Sequence, residues 1–340
     1  ILPTRVLGDH LQGIFDFNKE ILVDFDRDLN DFKKFPALSK PWRWKNKNHD
    51  LGESLKEIRE KLERRLTIDL NLWAAHIEII QAEERDKYVY GSDYNKKIWD
   101  LTNEEDVLII HPDSSNLSVR KDFISSFNNK FVLLEAIDSK DFYEFSCKFD
   151  NINSHNAYSI IYDLIPNLFN GTTSRNKWFK QKGIKGKISE SDRNIIEPIR
   201  EDIEMIKQKT SLSIISKILK QIRNLPDMKC YRKELFSDLC RALEQAEHKG
   251  ISVYEAMKEI RNIKRRMGRK VSGRCIGTTL LTKGLEFDTV AVLDAHKFKC
   301  PKNFYVAITR ACRRLIIFTN NKILSPYETC RDSGDTILNY

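Results

Sequence analysis

Thr278–Ala295 reads TTLLTKGLEFDTVAVLDA, and its second half decides the fold class. Thr289 to Ala295 is an apolar run of strand length. Ahead of it, Gly284 permits a tight approach of backbone. Glu286 offers a carboxylate between the apolar neighbours Leu285 and Phe287. Working outward, Arg274 to Leu280 and Leu315 to Thr319 also read as strands. Further upstream, DVLIIHPD at Asp106 to Asp113 is an apolar run closed by turn residues, as expected of a buried strand, and FVLLEA at Phe131 to Ala136 is a second one. Arg5 to Leu7 reads as a short buried strand running into a Gly-Asp turn.

Between these groups the pattern changes. From Asn151 to about Lys270, strand-like runs give way to helical ones such as AYSIIYDLIPNLF, LSIISKILKQIRNL and SVYEAMKEIRNIKRRM. In the last of these, Val253, Met257, Ile260 and Met267 mark one apolar stripe with basic residues around it. Helices are also expected over Gly52 to Arg65, from Leu55, Ile58 and Leu62, over Leu70 to Ile80, and over Asp141 to Phe149. The simplest organisation is an α/β domain interrupted by an all-helical insert, with its two halves flanking the insert in sequence. In NFYVAITRACRRL, Asn303 to Leu315, strand-like residues lead to Thr309 and Arg310 at the expected start of a helix. An Arg at such a boundary can project its planar fork into a cleft and meet phosphate oxygens in pairs.

The chain of 340 residues has room for two or three domains, and its net charge of +9 argues for an acidic partner such as nucleic acid. The longest apolar runs, VLII and LIIF, are strand-sized, so no membrane span is expected. Seven cysteines without a C-x-x-C pair suit buried free thiols in a reducing compartment, and hence the cytoplasm. His296, Cys300 and Cys312 find no fourth ligand at convincing spacing, so no metal site is expected there. The sequence opens at Ile1 and runs straight into an apolar segment, as if entered partway through a longer chain.

Two further stretches complete a pattern. LGDHLQGIFDF, Leu7 to Phe17, sets a lone glutamine and two alternating aromatics behind a Gly-Asp turn, and LSKPWRW places Trp42 beside Arg43. Taken singly, each has an ordinary reading. Phe15 and Phe17 would suit a half-buried strand, Trp42 surface packing, Glu286 an element-end charge and Arg310 an ion pair. Together and in this order they resemble the UvrD/Rep/PcrA group of superfamily 1 DNA helicases from its third conserved motif onward. The third motif, GDxxQSIYxF/W, is matched by Gly8, Asp9, Gln12, Ile14, Phe15 and Phe17. The fourth, a Tyr-Arg pair, is matched by Trp42-Arg43. The fifth, TxHxxKGLEF, is matched by Thr278, Lys283, Gly284, Leu285, Glu286 and Phe287. The sixth, YVxxTRA, is matched by Tyr305, Val306, Thr309, Arg310 and Ala311. Departures mark a divergent, compact member. Asn18 stands for an Arg, Leu280 for the fifth motif's His, IIHPDS lacks the usual Arg, and the gap from Phe287 to Tyr305 is short.

The resemblance implies a RecA-like P-loop NTPase domain, the second motor domain, interrupted by the helical insert and preceded by a remnant of the first RecA-like domain. The expected division is 1–34 for that remnant, 35–150 and 271–340 for the two halves of the second motor domain, and 151–270 for the insert. It implies an ATP-dependent helicase or translocase moving 3′→5′ on single-stranded or partly duplex DNA, with ATP and Mg²⁺ as cofactors. Gln12 and Arg43 would meet the γ-phosphate, Trp42 the adenine and Glu286 the ribose, with Gly284 beside the nucleotide. Arg310 would be the arginine finger, and Gln12, Arg43 and Arg310 would be the catalytic set. Phe15 and Phe17 would stack on bases and Thr278 would touch DNA. In the insert, SRNKWFKQKGIKGK, Ser174 to Lys187, interleaves basic and aromatic residues, so Lys177, Trp178 and Lys180 are expected on DNA. RNIKRRMGRKVSGR, Arg261 to Arg274, is a second basic candidate.

No GxxxxGK[ST] loop occurs in the chain, so ATP turnover and Mg²⁺ binding are expected to need residues before Ile1 or another chain. The compactness is similar to that of helicase subunits that partner a nuclease in antiphage systems of the Gabija type. The rival reading is a non-catalytic DNA-docking or assembly module with a degenerate helicase fold.

Overall fold

A parallel sheet forms where the sequence places its strand-sized apolar runs. A computed structural model describes residues 4–14, 28–33, 35–36, 40–112, 117–136, 139–169, 172–186, 189–267 and 271–328. The chain divides into two units, Ile1–Leu117 with Ser272–Tyr340, and Ser118–Val271. The first unit begins with α1 (His49–Glu63), β1 (Ile68–Asp69), β2 (Glu78–Gln81), α2 (Asp93–Leu101) and β3 (Val107–Ile110). The chain continues through α3 (Leu117–Ser126), β4 (Val132–Leu133), α4 (Lys140–Asp150), α5 (Ala157–Leu168) and α6 (Thr172–Trp178). A hairpin, β5 (Phe179–Lys180) and β6 (Gly183–Ile184), precedes α7 (Glu190–Gln208), α8 (Leu212–Arg223), α9 (Lys233–Lys249) and α10 (Val253–Met267). The first unit then resumes with β7 (Arg274–Gly277), α11 (Thr279–Thr282), β8 (Phe287–Val292), α12 (Pro301–Ile308), β9 (Ala311–Thr319) and β10 (Ile323–Leu324).

In the first unit β2, β9, β8, β3 and β7 lie side by side in that order, all parallel. Val107 pairs with Thr289 on one side of β3 and with Arg274 on the other. β3 is buried along its length and β8 from Thr289 onward. A parallel sheet covered on both faces demands such continuous apolar strands. β3 and β7 are neighbours, and the whole second unit lies in the connection between them. The fold is thus α/β around a central parallel sheet.

α1 follows its apolar spacing. Leu51, Leu55, Ile58 and Leu62 are buried, and the Asn48 side chain caps the helix by accepting from the Leu51 N–H at 3.0 Å. Gly52 is required there, since a Cβ would come within 2.8 Å of Trp44 Cβ. That close approach lets the turn before α1 lie against the helix.

Several expectations are corrected. Arg5 to Leu7 is no buried strand. Residues 4–9 form no regular element, and Val6 and Leu7 are 42% and 86% exposed. A strand needs a neighbour for its backbone groups, and no described strand pairs with this segment. Leu70 to Ile80 is not a helix but a 3₁₀ turn, Leu70–Trp73, followed by β2. Leu70, Trp73 and Ile77 are buried at a spacing that imitates a helical face. Thr309 and Arg310 end a helix instead of starting one. Of the cysteines, 147, 230, 240, 275 and 312 are free thiols, but Cys147 is exposed and Cys300 is disulfide-bonded.

The second unit packs around one hydrophobic cluster drawn from α4 through α10. Phe142 and Phe149 of α4 join it, so this unit starts before residue 151. Val253, Met257 and Ile260 form the expected buried stripe of α10. Among the described residues, no helix is long and apolar enough to cross a membrane.

Candidate functional site

Three of the sequence-picked side chains, Arg43, Glu286 and Arg310, converge on the turn from α12 into β9. α12 opens with Pro301 at its first turn and closes at Thr309, whose hydroxyl donates to the Tyr305 carbonyl at 2.8 Å. The last carbonyls of a helix lack partners within it, and Arg310 turns back to supply them. Its Nε donates to Val306 O at 2.9 Å, Nη1 to Leu285 O at 3.2 Å and Nη2 to Thr309 Oγ1 at 3.0 Å. The side chain is buried. Burial, joined by the nearby charge of Arg43, pulls its pKa down to about 10.

Arg43 reaches the same turn from a different part of the chain. Its Nε donates to Glu286 Oε1 at 2.8 Å and its Nη1 to the Thr309 carbonyl. Neighbouring residues fasten the 42–47 turn to the sheet. Trp44 Nε1 donates to Ala311 O at 2.6 Å, Asn48 Nδ2 to Arg313 O at 2.7 Å, and Lys47 pairs with Asp288 at 3.0 Å. Trp42 is left 67% exposed, with the ammonium groups of Lys40 and Lys45 at 4.2 and 5.1 Å from its ring. Gly284 sits at φ +84° in the tight turn after α11, a conformation L side chains rarely adopt. That turn delivers Glu286 to the amino end of β8. Cys312 Sγ lies 3.7 Å from Glu286 Oε2, and burial pushes the thiol up against the opposing pull of Lys47.

Gln12 arrives on a third segment. Asp9 caps the 3₁₀ turn His10–Gln12 by accepting from the Leu11 N–H at 3.1 Å, and Gln12 Nε2 donates to Asp9 Oδ2 at 2.9 Å. Arg59 of α1 grips both oxygens of that carboxylate, at 2.9 and 3.0 Å, and also donates to the Tyr305 hydroxyl of α12 at 2.9 Å. Burial alone would raise the Asp9 carboxyl, but the hydrogen bonds from Arg59 and Gln12 outweigh it and hold it below its ordinary value.

Lys283 completes the set. Its pKa is lowered by burial and then by the charge of Arg310, with Asp9 acting against them. Arg43, Arg59, Lys283 and Arg310 stand on this network beside the carboxylates Asp9, Glu63 and Glu286, and the charge of Arg310 helps to lower Lys283 as that of Arg43 helps to lower Arg310. Such a surplus of guanidinium and ammonium groups fits a polyanion such as a triphosphate. Among the described residues, no group of His, Cys, Asp or Glu is arranged to hold a metal ion.

Other expected residues lie elsewhere. Phe15 and Phe17 fall outside the described residues. Thr278 is buried at the carboxyl end of β7, where its carbonyl accepts from Thr282, at the opposite edge of the sheet from Glu286 and Arg310. In the second unit, Trp178 is corrected. It is 1% exposed and its Nε1 donates to Pro226 O at 3.2 Å, so its ring faces core and can stack on no base. Lys177 pairs with Asp227 at 3.1 Å, while Lys180 stands exposed on the β5–β6 hairpin beside Lys182 at its turn. Two cations of the second basic stretch are taken up in ion pairs. Arg261 is buried against Asp238 and Glu234 with its guanidinium 3.9 Å from the Phe142 ring centroid, and Lys264 shares both carboxylates.

Arg59 and Tyr305 were absent from the expected site. In sequence Arg59 is one more charge on the rim of an amphipathic helix, with Glu63 one turn on, and only the fold brings it to Asp9. No family model matches the chain, and no curated protein matches it.

Proposed function

We propose that the first unit is the RecA-like motor half of a DNA helicase or translocase that closes on ATP–Mg²⁺ while the protein holds single-stranded or partly duplex DNA. One observation carries this reading. Arg43, Glu286 and Arg310, from separate stretches picked for phosphate and ribose chemistry, meet at the end of α12, and Asp9, Arg59 and Tyr305 link Gln12 to the same helix, in a network richer in cations than in carboxylates. In this reading Arg43 and Lys283 would hold phosphates, Gln12 would respond to the terminal one and the exposed Trp42 ring would cover the base. ATP would supply the phosphoryl bond whose cleavage drives movement. Aromatic stacking and basic groups would grip DNA, at roughly 1–3 kcal/mol per stacked base.

The rival reading, a non-catalytic docking module, has one observation in its favour. Arg310 braces the helix end with its own chain's carbonyls instead of standing free. Calorimetric titration of the chain separates the two. The motor reading expects ATP and inorganic tripolyphosphate to bind, and Arg43→Ala to weaken both by about tenfold or more, as for a charge-assisted hydrogen bond. A chain that binds single-stranded oligonucleotide but neither polyanion is a docking module.

A further inference from the structure

The Asp9 carboxylate is saturated. It accepts from the Leu11 N–H, from Gln12 Nε2 and twice from Arg59, which uses all its acceptor positions. An ionised carboxylate only accepts, so the Gln12 amide must present one N–H of its NH₂ to Asp9, which leaves the second N–H as the donor that a terminal phosphate needs. Rotating the amide by half a turn would set oxygen against oxygen. Arg59 keeps this arrangement in register with α12, because the same Nη1 that holds Asp9 also donates to the Tyr305 hydroxyl. From this geometry we infer that Arg59 is a positioning residue that locks the orientation of the Gln12 amide and so sets the preference of the site for a nucleoside triphosphate over the diphosphate. The inference rests on the nucleotide reading above.

Arg suits the position because its planar fork meets both carboxylate oxygens, Nη1 also serves Tyr305, and Nε meets Glu63. A lysine at 59 keeps the charge but is a single point donor. Without the fork, Asp9 and the Gln12 turn lose their common register, and the amide is free to rotate.

The test measures ATP and ADP affinities by calorimetry on the chain and its Gln12→Ala, Arg59→Gln, Arg59→Lys and double Gln12→Ala/Arg59→Gln variants. The expected result is that Arg59→Gln and Arg59→Lys reduce the ATP-over-ADP ratio to that of Gln12→Ala, about tenfold. The double variant should lose no more, because Arg59 acts only through Gln12. Arg59→Lys keeps the charge and should lower the thermal midpoint less than Arg59→Gln while reducing the ratio as much, which separates lost positioning from lost folding. If Arg59→Gln and Arg59→Lys weaken ATP and ADP equally, or leave the ratio intact while Gln12→Ala lowers it, the positioning role is overturned and the nucleotide reading stands. A wild-type chain that binds neither nucleotide overturns both.

Discussion

Asp9 shows how a single side chain ties separate parts of the first unit together. Its carboxylate is held ionised by Arg59 and Gln12 against the effect of burial, so its pKa is lower folded than unfolded. The sign follows by linkage. A carboxyl depressed by folding adds stability in full above its unfolded pKa of about 4, and the contribution disappears as pH falls through the lower folded value. Asp9→Asn is therefore expected to be less stable than wild type in urea at pH 7. The gap should narrow as pH falls through the folded value of Asp9, where its carboxyl becomes neutral like the amide. A gap of constant size across that range would show that Asp9 acts by shape alone. Residues of this kind divide sharply in legibility. Gln12, Arg43 and Glu286 could be picked from local patterns, whereas the role of Arg59 depends on a partner fifty positions away along the chain.

At the scale of elements, backbone conformation and burial explain both successes and corrections. Gly284 was read as the site of a tight turn, and its φ of +84° bears this out. No atom lies within 4 Å of where a Cβ would sit, so Gly284→Ala should lose only backbone strain, about 1 kcal/mol by chemical denaturation. Segment 303–308 contains strand-favouring residues, yet it is helical. Pro301 starts the helix, and Phe304, Tyr305, Val306, Ala307 and Ile308 are all buried, so tertiary packing overrides local preference. Trp178 was misread for a related reason. An aromatic among lysines looks the same in sequence whether it faces solvent or core. Trp178→Ala is expected to destabilise the protein by about 3–5 kcal/mol, as for a large buried aromatic. Its oligonucleotide affinity should be little changed under conditions where the fold persists.

At the scale of the molecule, charge is the property that matters most. The net charge of +9 favours an anionic partner, but the structure sorts its basic residues into two classes. Arg261, Arg232 and Lys87 are buried in ion pairs and add nothing to an external field. Lys180 and Lys182 stand exposed on a hairpin anchored by buried Phe179 and by the Tyr158 hydroxyl, which donates to Lys180 O at 2.6 Å. If this hairpin contacts phosphates, the Lys180→Glu/Lys182→Glu variant should bind single-stranded DNA more weakly at low salt. Its log–log salt slope should be shallower by about 1.4. Identical affinity and slope would remove the hairpin from the DNA path, and binding by the rest of the protein would be unaffected.

The amino-acid sequence by itself determined the alternation of buried strands with an inserted helical stretch, because apolar periodicity is a local property that burial must satisfy. It also marked Gly284, since a tight turn asks for a residue without a Cβ. Only the tertiary structure decided which cations face a common site and which lie paired inside. It also decided that Arg310 folds back on its helix and that Arg59 holds Asp9. Those outcomes depend on contacts between residues far apart in the chain, whose geometry exists only once the sheet and helices have packed.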